Sequence, residues 1–318
     1  MEKHFLNTTD GYHKNDLDSL GWEVTLSLML ENPQSPCRSI LKNKDSFGNL
    51  LYDFLSTIIP MNGIHCIIEI GGGYGYLMRD FLRRNNKLCA TMIDLSPFLL
   101  EKQRETLRDF AVEFIQGDFF ELGGSIFSNI DLVVLNEVIG DFPTACEVPR
   151  EVLFECHEPG DVLLQEIRRI YKGYHLMHPS KKRLTLNLGA IQAIERLCTA
   201  QIPYIYVSEH SCEARIPEAL ARLLEPRVTG EPERIRLRGH DEYTVRFSDL
   251  ESVASYFGYT SRRGQYIDFI EPIIDEEVTF ILCLGSSKID RHEIIIQFIE
   301  DLIKYEYLIL SLPYYQKK

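Results

Sequence analysis

The chain has 318 residues, 45% of them hydrophobic, so it can bury a full core, and its length suits one large decorated domain. A formal net charge of −13 with a pI near 5.2 argues against a general nucleic-acid binder, which presents a strongly basic surface. No run approaches the roughly 18 apolar residues of a membrane span, and the opening "MEKHFLNTTDGYHKND" carries no apolar leader segment, so a cytoplasmic location without membrane contact is expected.

In chain order, residues 1–60 read as a helical lead-in, with apolar residues three and four apart in "WEVTLSLMLEN" and "FGNLLYDFLSTII". Residues 61–286 read as the main domain. It opens with short apolar strands, "HCIIEI", "LCATMID", "VEFIQGD" and "IDLVVLNE", alternating with amphipathic helices. Continuous apolar strands separated by helices imply parallel neighbours joined by crossovers, hence a Rossmann-like, doubly wound α/β sheet. A helix is expected over about 74–85, with Leu77, Met78, Phe81 and Leu82 facing the sheet and Arg83 and Arg84 in its last turn. Ser96 and Pro97 suit the cap and first position of the next helix. Residues 143–200 separate the fourth strand from "IPYIYVSEH" and read as an insertion: a strand or hairpin near "DVLLQEIRRIY", a basic turn, and a helix near "NLGAIQAIERLCTA". "TVRFSDLESVASYFGY" reads as a strand start plus helix, "EEVTFILCLG" as the last strand, and 287–318 as a C-terminal helix.

Eight cysteines lie scattered without a C-x-x-C pair and read as reduced, mostly buried thiols. Cys156 with His157, His175 with His178, and His210 with Cys212 lack a zinc spacing, so no metal site is expected. "RRIYKGYHLMHPSKKR" (168–183) and "RIRLR" (234–238) read as solvated basic faces.

The chemistry concentrates in "EIGGGYG". A glycine cluster between strand and helix lets backbone approach a ligand closely. Gly71, Gly73 and Gly75 have the spacing G-x-G-x-G, with Tyr76 and Met78 where a dinucleotide fingerprint needs its last glycine, and no P-loop follows. Glu69 before the glycines would repel a pyrophosphate but favours an α-ammonium or sulfonium. Asp94 ends the second strand 23 residues after Gly71, where a carboxylate accepts from ribose hydroxyls, and Leu95 follows it. Asp118 ends the third strand beside Phe119, an acid and an aromatic suited to the amino edge and face of adenine. Three acids at three successive strand ends describe a phosphate-free, cationic nucleoside. The alternative is an α/β domain whose glycines serve only a tight turn.

"EIGGGYG", "MIDLSP" and "GDFF" resemble, in order and spacing, the first three motifs of class I S-adenosylmethionine-dependent methyltransferases. The resemblance implies a mostly parallel seven-stranded sheet, S-adenosylmethionine as cofactor and S-adenosylhomocysteine as product. In it Gly71, Gly73 and Gly75 cradle the methionine part, Asp94 binds ribose, and Asp118 with Phe119 meets adenine. A narrower resemblance, over about 65–270, is to the MidA family, whose mitochondrial members methylate an arginine of a respiratory complex I subunit during assembly. It is carried by "EIGGGYGYLMRDFL", "DLSPFLLEKQRETL", "LNEVIGDFP" and "RGHDEYTVRFSDLESVASYFGYTSRRGQYIDFI". Asn136 and Glu137 keep that family's "NE"; its next acid is Gly140 here, with Asp141 displaced by one, and its "DYG" is "SEH".

A loop leaving the fourth strand faces the cofactor crevice in such sheets, so Glu137 and Asp141 are the expected acceptor-side carboxylates and Asn136 an orienting amide, adjoining the cofactor. A helix cap and turn is the plainer reading of the same loop. Glu209, His210 and His240 are further candidates for the acceptor pocket. The expected acceptor is a protein side chain, by family resemblance an arginine; the alternatives are a small molecule, or a cofactor-binding assembly factor without turnover. A nucleic-acid acceptor is disfavoured because "NEVI" lacks the N-P-P-[FYW] loop of amino-base enzymes.

Overall fold

The computed structural model describes residues 4–16, 25–154, 160–224, 228–284 and 289–313. Its strands are β1 (Phe5–Asn7), β2 (Cys66–Ile70), β3 (Cys89–Asp94), β4 (Val112–Gln116), β5 (Leu132–Asn136), β6 (Thr144–Pro149), β7 (Arg183–Leu186), β8 (Tyr204–His210), β9 (Arg234–Arg236), β10 (Asp241–Tyr243), β11 (Thr260–Gln265) and β12 (Tyr305–Ser311). Seven of them form one sheet in the order β11-β12-β8-β5-β2-β3-β4, parallel from β8 to β4, with β12 antiparallel to both of its neighbours. The doubly wound, mostly parallel sheet implied by the sequence is therefore present. Its winding reverses between β2 and β5, which opens a crevice at their carboxyl ends.

The strands are apolar on both faces because both faces are covered. Ile67 packs into one core with Phe47, Leu51 and Phe81, while its neighbour Ile68 packs into the other with Ile191, Val207 and Leu250. Helix Tyr76–Arg84 buries Leu77, Met78, Phe81 and Leu82, and carries Arg83 and Arg84 in its last turn, as the periodicity requires. Ser96 accepts the Leu99 N–H at 3.2 Å and Pro97 opens helix Pro97–Thr106.

Three segments differ from the expectations. Residues 276–285, expected as the last strand, form helix Glu276–Cys283. Asp275 caps it by accepting the Val278 N–H at 2.9 Å, two glutamates occupy its first turn, and burial falls at Val278, Ile281 and Leu282, a helical spacing that outweighs the β-prone composition. The last strand lies in the tail instead: 287–318 contains helix Asp290–Lys304 and then β12, all seven residues of which are buried between β8 and β11. The region 161–171 forms helix Val162–Gly173, capped by Asp161 on the Leu163 and Leu164 N–H groups, rather than a strand or hairpin.

The lead-in is also not wholly helical. β1 pairs antiparallel with β6, and β6 with β7, so the start of the chain joins the 143–200 region in a small second sheet. That pairing carries residues 8–16 over the carboxyl edge of the large sheet: Thr9 Oγ1 donates to the Asp141 carbonyl at 2.9 Å and Asn7 Nδ2 to the Asp241 carbonyl at 2.9 Å. β9 and β10 form a hairpin with Arg234 and Arg236 exposed, as expected for "RIRLR".

Candidate functional site

The carboxyl ends of β2 to β5 open into a cavity of about 900 Å³, the size of a small-molecule site. Gly71, Gly73 and Gly75 all take positive φ, at 66°, 52° and 79°. A Cβ on Gly71 would lie 2.3 Å from Val138 Cγ2, so backbone alone can form the wall there. Glu69, buried at the end of β2, lines the cavity with Oε2 unpartnered among the described residues. Burial, and then the neighbouring Asp94, push its carboxyl up to about 8.

Asp94 ends β3 beneath the same cavity. Its carboxylate accepts from the Ser96 N–H at 2.9 Å and from Gln103 Nε2 at 2.7 Å, yet burial still raises its pKa to about 6. Gln103 Nε2 also reaches the Gly73 carbonyl at 3.1 Å, thirty residues back in the chain, so one amide ties the glycine turn to the acid. The sequence reading passed over Gln103; its only trace is a polar residue on the buried face of helix Pro97–Thr106. Leu95, Asp118 and Phe119 line the cavity beside them. Asp118 accepts the Phe120 N–H at 2.8 Å, and Phe119 belongs to an aromatic wall with Phe120, Phe127 and Phe142.

The opposite wall begins at Asn136. Its Oδ1 accepts from Ser208 Oγ at 3.0 Å, with the Tyr266 hydroxyl also 3.0 Å away, and its Nδ2 donates to Glu137 Oε1 at 3.3 Å. One amide N–H is thus spent inside the protein. Glu137 has φ 53°, an uncommon conformation for a residue with a side chain, and its backbone N–H bonds the Ser208 carbonyl at 3.0 Å. Its Oε2 accepts the Leu26 N–H at 3.3 Å. Burial and repulsion from Glu209 push the Glu137 carboxyl up to about 8.

Glu209 and His210, at the end of β8, line the cavity with Asp301 and Tyr305. Glu209 accepts the Gly140 N–H at 3.0 Å, and a Cβ at position 140 would come within 3.1 Å of its carboxylate. Gly140 therefore leaves room for an acid delivered from β8. Asp141 also lines the cavity, but its Oδ1 faces two imidazoles: His13 Nε2 at 3.0 Å and His240 Nε2 at 3.4 Å. Those partners, against the opposing effect of burial, hold its carboxyl down at about 2.

Ten acids line the cavity: Asp10, Glu69, Asp94, Asp118, Glu137, Asp141, Glu209, Glu242, Glu293 and Asp301. Among the described residues the lining has two histidines, His13 and His210, and neither lysine nor arginine. Of the metal-ligand pairs weighed from spacing, Cys156 and His157 lie outside the described residues. His175 and His178 are exposed, and Cys212 is buried. A group no spacing could reveal is instead formed by His13, Asp141 and His240, whose ligand atoms all lie within 4.8 Å of one another.

Residues 67–158 match the family model described as a methyltransferase domain. No curated protein matches the chain. Among solved structures, the chain is similar to a protein from Burkholderia thailandensis bound to S-adenosyl-homocysteine (16% identity, TM-score 0.47, covering 88% of this chain and 77% of that one). It is also similar to the plantazolicin methyltransferase BpumL in complex with SAH (11%, TM-score 0.43, 96% and 94%). A third likeness is to an O-methyltransferase family protein from Burkholderia thailandensis (13%, TM-score 0.40, 82%), of which the chain spans 55%.

S-adenosylmethionine, the cofactor expected from the three sequence motifs, suits the residues present. The glycine turn leaves a cradle that a Cβ at Gly71 would fill, Glu69 offers an unpartnered buried oxygen, and the acidic lining favours positive charge.

Proposed function

We propose that the protein is an S-adenosylmethionine-dependent methyltransferase acting on a basic nitrogen group, best met by an arginine side chain of a protein. The observation that carries the acceptor class is the ten-acid lining, which has no lysine or arginine among the described residues. Such a lining disfavours phosphates and carboxylates, and an entering cation, a guanidinium included, favours the ionised form of carboxyls that burial has raised, such as Glu69 and Glu137.

Bound S-adenosylmethionine supplies a methyl group on a sulfonium sulfur, open to in-line displacement. The chain contributes alignment and charge. Gly71, Gly73 and Gly75 hold the methionine part against bare backbone, Glu69 faces its positive groups, and Asp94, braced by Gln103, accepts from the ribose hydroxyls. Leu95, Asp118 and Phe119 take the adenine. Asn136 fixes the Glu137 carboxyl at the junction of the two walls. Glu137, poised near neutrality, receives the proton that a guanidinium nitrogen loses on methylation. Asp141 and Glu209 hold the acceptor's charge.

The test is transfer of labelled methyl from S-adenosylmethionine into lysate of a strain lacking the protein, with Asp94→Asn and Glu137→Gln as controls. Label recovered as methylarginine after protein hydrolysis is expected. Label in small metabolites moves the assignment to a small-molecule acceptor, for which a cavity of about 900 Å³ is also large enough. Cofactor binding with no label in any pool leaves a binding protein without turnover.

A further inference from the structure

The His13, Asp141 and His240 group comes from three separate places: the turn Tyr12–Asp16 over the cavity, the loop after β5, and the tip of the β9–β10 hairpin. His13 Nε2 and His240 Nε2 lie 3.0 and 3.4 Å from one oxygen, Asp141 Oδ1, and His240 Nε2 lies 3.2 Å from Glu242 Oε1. Ligands bound at about 2.0–2.2 Å to a zinc-like ion stand roughly 3.0–3.5 Å apart along the edges of its coordination shell. The two distances to Asp141 and the one to Glu242 fall in that range, and all three ligand atoms of His13, Asp141 and His240 lie within 4.8 Å of one another.

The groups are also held in place by contacts of their own. Tyr12 stacks on the His240 ring at 4.2 Å, and Thr9 anchors the Asp141 backbone. The four side chains are 3–18% exposed, and the cavity they border carries no lysine or arginine among its described residues to compete with a cation.

We propose that His13, Asp141 and His240 bind one divalent first-row transition-metal ion beside the Glu242 carboxylate. Two imidazoles and a carboxylate suit manganese through zinc better than magnesium or calcium, which take oxygen ligands. Three protein ligands leave positions open toward the cavity, and the ion ties residues 8–16 across its mouth. The site shares Asp141 with the proposed acceptor wall, but metal binding is read without any methyl acceptor, so failure of one reading is distinguishable from failure of the other.

The experiment titrates Co²⁺ into chelator-treated full-length protein and follows visible ligand-field absorption, with metal content measured after desalting. One equivalent with new bands is expected in the wild type. His13→Gln and His240→Gln should each weaken binding by about tenfold or more, as losing one of three ligands requires, while unfolding cooperatively on heating. No stoichiometric binding in the wild type, or undiminished binding in both variants, would overturn the proposal. Should a variant fail to fold, diethyl pyrocarbonate labelling of the wild type decides: one equivalent of Zn²⁺ should lower the labelling of His13 relative to the metal-free protein and leave that of the exposed His175 unchanged. Labelling of His13 unchanged by Zn²⁺ contradicts the site.

Discussion

The two walls of the cavity are built differently. The donor wall of the proposed reading comes from three consecutive strand ends: Glu69 and the glycine turn at the end of β2, Asp94 at the end of β3 and Asp118 just after β4. The acceptor wall is gathered from Asp10 and His13, Glu137 and Asp141, Glu209 and His210, Glu242, and Asp301 and Tyr305, five stretches spread over almost the whole chain. In the proposed reading, local assembly holds the cofactor by a turn whose positive φ favours glycine. Long-range assembly lets the second ligand change with the tail, the hairpin or the N-terminal segment.

That contrast breaks most sharply at Glu137. On the proposed reading, Glu137→Gln removes the proton acceptor of the acceptor wall and leaves the donor wall untouched. Turnover should fall by about 10²–10⁴-fold with S-adenosylhomocysteine affinity changed less than about threefold, measured by labelled methyl transfer and calorimetry. Equal losses in both would join the two walls into one. On the donor wall, Gly71→Val forces a β-branched residue to φ 66° and into Val138. It should cost S-adenosylhomocysteine about 100-fold in affinity, as strain of this kind runs to a few kcal/mol. Asp94→Asn keeps the shape but loses the charged acceptor, and about tenfold in affinity is expected.

A further effect, separate from ligand binding, is on stability against pH. Glu137 rises from 4.5 to about 8 on folding because it is buried beside Glu209. A carboxyl raised on folding adds stability that is fully present below the unfolded value and is lost as pH climbs through the folded one. The ligand-free wild type should therefore lose melting temperature between about pH 4.5 and pH 8 relative to Glu137→Gln. Saturating S-adenosylmethionine should shrink that difference, because its positive charge favours the ionised carboxylate. A pH-independent difference in differential scanning fluorimetry would contradict the burial assigned to Glu137.

The same contrast explains what the sequence makes legible. β2 to β5, the glycine turn and the three acids follow from periodicity and spacing, because each signal sits within about ten residues of the structure it specifies. The swapped ends of the chain do not. Helix Glu276–Cys283 has a β-prone interior, and its Asp275 cap and acidic first turn were the better guide. "YEYLILS" continues an apolar helix without a break, and only burial between β8 and β11 makes it a strand. His13 lies 128 residues from Asp141, and no local pattern joins them. Glu209 was visible as a strand-end acid, but its place beside Gly140 depends on the pairing of β5 with β8.

The central claim is that an acidic, phosphate-excluding cavity holds a positively charged nucleoside. Isothermal calorimetry of the folded protein, comparing S-adenosylmethionine, S-adenosylhomocysteine and NAD from about pH 6 to pH 8.5, tests it most directly. The account predicts binding of the first two, none of NAD, and an affinity for the sulfonium that gains on its neutral product as Glu69 and Asp94 ionise across that range. Binding of NAD with no heat from either sulfur nucleoside would contradict it.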